Sequence, residues 1–314
     1  MRKQKAITAP PKGRKGRIRR DLRKNWVVYL MALPVVAYFI IFHYIPMGGI
    51  VMAFEDYSIK KGIFGSTWVG FYQFQRFFSS VYFWRLMRNT LLISLYGILF
   101  SFPLPIIFAL LLNEVQNQKF KKFTQTVSYL PYFISVVVVV SILSDFCKSN
   151  GALTQLATMF GWSGGALISS PQWFRTLYIG SNIWQHLGYN SIIFISALTT
   201  IDPQLYEAAK IDGAGRWKQT WHVTLPGLIP TIVIMLILRL GQTMNVGYEK
   251  ILLMYSPATY DTADVISTYV YRVGLIDADY SYSTAINLFN SVINIIILVI
   301  ANEVSKRVSE TSLW

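Results

Sequence analysis

The sequence predicts an all-α integral membrane protein with six transmembrane helices, and three observations carry that prediction. Of 314 residues, 53% are hydrophobic and only 14% are charged, against roughly 25% charged in an ordinary soluble chain. Six continuous apolar runs each approach or exceed the roughly 20 residues that a bilayer core requires. The runs do not alternate between polar and apolar positions, so they suit helices rather than a barrel. The same composition excludes a disordered chain. The single cysteine, Cys147, excludes an intrachain disulfide framework and a Cys-cluster metal site.

In chain order the runs are 26–45, 90–112, 123–144, 176–201, 227–248 and 283–302. Five contain no Asp, Glu, Lys or Arg, and the fifth run contains only Arg239. This divides the chain into a basic tail (1–25), a six-span body (26–302) with a distinctive loop at 202–226, and a short tail (303–314). The tail 1–25 holds 11 Lys/Arg and one acid, Asp21; with the first run it reads as a retained signal anchor, because the apolar run is long and no small-x-small site ends it. Its basic charge suits a positive-inside anchor near anionic lipid better than a nucleic-acid arm. With the N-terminus inside, the inner segments carry 19 Lys/Arg and the outer ones 9, so both termini are expected in the cytoplasm. Pro103 and Pro105 in the second run and Pro131 in the third are expected to kink or interrupt their helices.

Several chemistries lack their residues. There is no G-x-x-x-x-G-K-[ST] phosphate loop, and no H-E-x-x-H or G-x-S-x-G motif. His43, His186 and His222 fall in separate parts of the chain, and two of them lie on opposite halves of the membrane, which does not suit a shared metal site. One intramembrane charge is too few for a proton-coupled relay or an embedded enzyme. Arg239 itself has three possible roles: pairing with a carboxylate of a second subunit, contacting an acidic solute, or bonding backbone carbonyls.

The loop between the fourth and fifth runs reads DPQLYEAAKIDGAGRWKQTWHVTLP. Asp202 is suited to cap a helix and Pro203 to open it. Gly213 and Gly215 break that helix, Arg216–Val223 suits a second short helix, and Leu225–Pro226 leads into the fifth run. The order Glu207-Ala208-Ala209, Asp212-Gly213-Ala214, then Leu225-Pro226 resembles the EAA loop of binding-protein-dependent ABC importer permeases. Further stretches, among them FPLPIIFALLLNEV, KFTQTVSYLPYFIS, DVISTYVY and SETSLW, are similar to the polysaccharide and oligosaccharide permease branch of the maltose-type carbohydrate uptake family. The resemblance covers nearly the whole chain. It implies a bacterial inner-membrane (cytoplasmic-membrane) subunit paired with a second six-span permease, two cytoplasmic ATP-binding subunits and an extracytoplasmic solute-binding protein. ATP and Mg would then sit on partner subunits, with no cofactor in this chain and no nucleic acid among its partners. It also implies that Glu207, Ala208, Ala209, Asp212, Gly213 and Ala214 couple to the ATPase. A permease for a peptide or polyamine, or an autonomous secondary carrier, are the alternatives.

An oligosaccharide pathway needs aromatic faces and hydrogen-bonding side chains. The sixth run carries Asn287, Asn290 and Asn294 at i, i+3 and i+7. The fourth offers Trp184 and Gln185, aligned with Ser181 and Gly188, beside Tyr189 and Asn190. The end of the fifth offers Asn245 and Tyr248, followed by Glu249. For any one of these polar residues, joining helices by hydrogen bonds is the favoured alternative. The tyrosines of 249–282 suit either a binding-protein contact or an interfacial aromatic belt.

Overall fold

The computed structural model describes Ile18, residues 21–309 and Ser312. Most of the basic tail and part of the C-terminal tail lie outside the described residues. Among the described residues, four helices are long and apolar enough to cross a membrane: α1 (Trp26–Phe54), α2 (Phe83–Glu114), α7 (Arg216–Leu240) and α10 (Tyr280–Ser309). A fifth candidate is the pair α3 (Gln118–Phe133) and α4 (Val136–Cys147), bent by 97°. The remaining long helix, α5 (Pro171–Leu198), has 28 residues. It carries Asn182, Gln185, His186 and Asn190 along its length, and it does not meet the apolar standard of the others.

The prolines act where the sequence placed them, in two different ways. In α2, Pro103 has no N–H to donate, and the helix passes the site through a π-bulge at Gly97–Ser101, with Phe102 N–H donating to the Gly97 carbonyl at 3.0 Å. Such bulges keep a helix continuous while shifting its face. Pro131 falls in a tighter turn, Leu130–Phe133, after which the helix stops at Ile134. Ser135 restarts it by capping α4, its hydroxyl accepting from Val138 N–H. The Ile134 carbonyl exposed by that break accepts from Gln185 Nε2 of α5 at 3.0 Å, so the irregular backbone is satisfied by protein.

Helix α5 is the central post. It packs against α2 through Ile106, Ala109, Phe194 and Leu198, in a cluster shared with Leu228 of α7. Gly188 of α5 lies directly on the backbone of α3, where any Cβ would overlap the Ser128 carbonyl. Helix α7 meets α10 at its end, where a Cβ on Gly241 would stand 2.8 Å from Leu298 Cδ1. By contrast, the apolar core of α1 buries nothing within the chain; only its last turns, Gly48–Phe54, rest on α10. A helix apolar all round and free of protein contacts is suited to lipid or to another subunit.

Two expectations are corrected. The fifth span does not run over 227–248. Helix α7 begins at Arg216 and stops at Leu240, capped at Gly241, and residues 241–247 form irregular chain before α8 (Tyr248–Met254). The second arm of the 202–226 loop is also not a separate helix: Arg216–Gln219 continues through a π-bulge at Thr220–Thr224 into the span. Pro226 causes no break because it stands at the start of the segment that follows the bulge.

The opposite end of the molecule is held by charge. Asp264, whose side chain is fully buried, accepts from Arg85 Nη2 at 3.2 Å and Arg272 Nη2 at 2.8 Å. Arg88 pairs with Asp261 at 3.1 Å and Arg76 with Asp279 at 2.6 Å. Asn89 Nδ2 donates to the carbonyls of Asp261 and Asp264, while its Oδ1 accepts from Arg175. The start of α2, the start of α5 and helix α9 (Ile266–Tyr271) with its flanks are thereby locked together. Tyr269 and Tyr282 are buried in this region, with Arg272 5.4 Å above the Tyr269 ring, so these two tyrosines serve packing.

Candidate functional site: a central cavity and an exposed loop

Helices α2, α5 and α7 and the chain at 242–247 enclose a cavity of about 730 Å³, within the range of small-molecule sites. Its polar lining includes Asn182, His186 and Asn190 from α5, Arg239 from α7, and Gln242 and Asn245 from the irregular chain. Tyr189 adds an aromatic wall backed by Tyr132, the rings stacked 3.6 Å apart and nearly parallel. The lining contains no Asp or Glu. A second cavity of about 350 Å³ lies between α9 and α10 and shares Asn245 with the first. Asn245 Oδ1 accepts from Asn290 Nδ2 at 2.8 Å.

The expected pathway residues divide. Tyr189, Asn190 and Asn245 line the larger cavity, and Asn245, Asn287 and Asn290 the smaller. Gln185 is buried, donating to Ile134 and accepting from Lys250 Nζ at 3.4 Å. Asn294 is buried too, its Oδ1 accepting from Met244 N–H at 2.9 Å. Trp184 and Glu249 are exposed and line neither cavity. The stripe Gln185–Gly188 is thus the face that grips α3. The cavity face, Asn182-His186-Tyr189-Ile193, lies one residue away, about 100° around the helix. Its i, i+4, i+7, i+11 spacing is visible in the sequence, and it is where His186 and Asn182 are legible.

One cation, Arg239, lines this site without a carboxylate, and a second, Lys250, lies outside the lining against Gln185. Among the described residues no ion pair engages Arg239 or Lys250. Lys250, on α8, is 4% exposed, and burial pushes its ammonium down to about 8. Arg239 Nη2 rests over Gly97 at the π-bulge of α2, where a Cβ would stand 2.9 Å away. His186 Nδ1 lies 3.0 Å from the Asn182 carbonyl. A carbonyl only accepts, so Nδ1 carries the proton, and in the neutral ring Nε2 is an acceptor.

At the far end of α7, Asp202 caps α6 (Pro203–Ile211), its carboxylate accepting from Gln204 N–H at 2.9 Å. Gly213 has φ +74°, the left-handed turn that favours glycine. Ala214 N–H closes the turn on the Ala209 carbonyl at 2.8 Å. Glu207, Ala208, Asp212 and Gly213 are exposed, and Ala209 and Ala214 half-buried. Ile211, Trp217 and Trp221 surround them, all exposed. The loop is tied to its helix by Tyr206 Oη to Thr224 Oγ1 at 3.1 Å and by Gln219 Nε2 donating to the Ala214 carbonyl at 2.7 Å.

The family described as "Binding-protein-dependent transport system inner membrane component" matches residues 101–310. The chain is 43% identical over 288 residues to the polygalacturonan/rhamnogalacturonan transport system permease protein YteP of Bacillus subtilis (strain 168), covering 91% of this chain and 90% of that protein. It is 42% identical over 293 residues to protein LplB of the same organism, covering 93% and 92%. A solved structure of a bacterial alginate ABC transporter, in complex with an alginate pentasaccharide-bound periplasmic protein, contains a chain that superposes with TM-score 0.85 at 42% identity, covering 94% of this chain and 99% of that one.

Proposed function

Because the chain belongs to the family of binding-protein-dependent transport system inner membrane components, we propose that it is the six-span permease subunit of an ATP-driven importer of oligosaccharides or polysaccharide fragments. The named relatives support the saccharide: one carries polygalacturonan and rhamnogalacturonan, the other imports alginate. The observation that carries the reading is structural continuity. One helix, α7, runs from the exposed loop at Gly213 to the cavity at Arg239. A chain without a phosphate loop needs such a link to be moved by an ATPase it does not contain.

In this reading Glu207, Ala208, Ala209, Asp212, Gly213 and Ala214 dock on a separate ATP-binding subunit. The small residues allow close approach, and Glu207 and Asp212 supply charged anchors. A second six-span permease completes the pathway against the exposed side of the cavity, and a solute-binding protein delivers the sugar at the end closed by Asp264 and its arginines. Lys119 and Lys210 then face the cytoplasm and Lys61 the outside, and both termini are cytoplasmic. Family membership argues against an autonomous carrier.

The test is uptake in proteoliposomes. Gly213→Asp strains a positive-φ turn by about 1–2 kcal/mol and puts a side chain on the docking surface; it should abolish uptake with expression retained. Glu207→Lys should do the same with partial loss of the ATPase from the complex. Parental uptake and ATPase retention in both variants would reduce the loop to a linker. Cysteine labelling in intact cells checks orientation, since the native Cys147 is buried: external labelling of a cysteine at 210 would reverse it.

A further inference from the structure

We propose that Arg239 is a carboxylate-recognition residue of the larger cavity, and that the saccharide this chain admits carries anionic, uronate-type units; the proposal rests on the permease reading above and narrows its substrate.

An arginine inside a span is costly unless it is paired or faces a polar cavity. Arg239 has no ion pair among the described residues and lines the cavity. Its Nη2 lies over Gly97, and the side chain is exposed rather than buried within the chain. The space it occupies is made by the sequence. Gly97 leaves open space beneath Nη2, and a Cβ there would stand 2.9 Å from it, so the exposed guanidinium would have to shift.

The surroundings favour an anion. No acid lines the cavity. A guanidinium presents parallel N–H donors that match a carboxylate's two oxygens. A neutral sugar offers only hydroxyls to it and leaves the charge without a counterion. The other lining groups read the rest of a sugar ring: His186 Nε2 accepts from a hydroxyl, Asn190 and Gln242 donate and accept, and Tyr189 offers an apolar face.

The experiment reconstitutes the full importer and compares uptake of galacturonate, mannuronate and guluronate trimers with that of neutral hexose trimers. The binding protein is unchanged throughout, so differences between variants report the permease. Arg239→Gln should lower uronate uptake at least tenfold, Arg239→Lys should restore much of it, and Gly97→Ala, which crowds the guanidinium, should give a partial loss. All complexes should retain the second permease. Uronate uptake by Arg239→Gln at the parental rate overturns the proposal. Loss of the second permease from both Arg239 variants also overturns it, by assigning Arg239 to the subunit interface. If the parent moves neutral trimers and no uronate trimer, the carboxylate proposal falls and the saccharide reading stands. If it moves neither, both fall.

Discussion

The start and the middle of α2 handle charge in opposite ways. Near its start, Arg85 and Arg88 are paired with Asp264 and Asp261, and a third arginine, Arg272, shares Asp264. Burial works against the Arg272 charge, yet the hydrogen bond and charge of Asp264 outweigh it and raise its pKa. At the π-bulge a few turns on, Arg239 meets the helix with no acid at all. Paired charges fasten elements that are distant in sequence. Arg239 is joined to no other element by an ion pair among the described residues. Stability and transport should therefore respond to different arginines.

The largest expected effect tests the paired end. Asp264→Asn removes the shared buried negative charge and leaves two arginines facing each other without a counterion. The loss should be about 3–5 kcal/mol, read as a lowered denaturation midpoint of the purified subunit. An unchanged midpoint would mean that charge is not what closes this end, and the contrast would collapse.

Next is the wall between the two regions. Gly188→Ala drives a methyl group into the Ser128 carbonyl, which belongs to rigid backbone. About 1–3 kcal/mol of destabilisation is expected, with the same readout. Full tolerance would show that α3 and α5 slide apart readily and that the cavity wall is soft.

A smaller effect is expected at the contact between the cavities. A double-mutant cycle of Asn245→Ala and Asn290→Ala should return a coupling of about 0.5–1.5 kcal/mol. Zero coupling would make the 2.8 Å bond energetically idle.

The smallest effect on stability belongs to Arg239→Gln, within about 0.5 kcal/mol. A loss as large as that of Asp264→Asn would place Arg239 among the fastening charges and end the distinction.

The sequence made much of this legible, for physical reasons that also set its limits. Apolar runs without charge mark spans because the bilayer demands them, and Asp202, Pro203 and Gly213 mark the loop because capping and positive φ are local requirements. Pro131 announced its break in the same way. The end of α7 at Leu240 was hidden, because Gln242, Thr243 and Asn245 sit in a run still apolar on average. The cavity face of α5 was missed by one residue: Gln185 and Asn190 look alike in sequence, and only the approach of α3 to Gly188 decides which faces protein. Asn294 was misleading for a similar reason, since its partner is the backbone of Met244, fifty positions away. Arg239 drew attention, yet its surroundings come from Gly97, more than 140 positions distant.

Helix α7 has a mechanical consequence. From Arg216 to Arg239 a helical rise of about 1.5 Å per residue makes a rod of roughly 35 Å. Pivoted near the loop, a tilt of about 10° carries its far end some 6 Å sideways, on the order of one sugar ring. The lever has a weak point at the π-bulge Thr220–Thr224, braced by Tyr206 and Gln219. If the loop drives the helix as proposed, those two side chains would set the gearing: stiff bracing would deliver the whole stroke to the guanidinium, and slack bracing would spend it in the bulge.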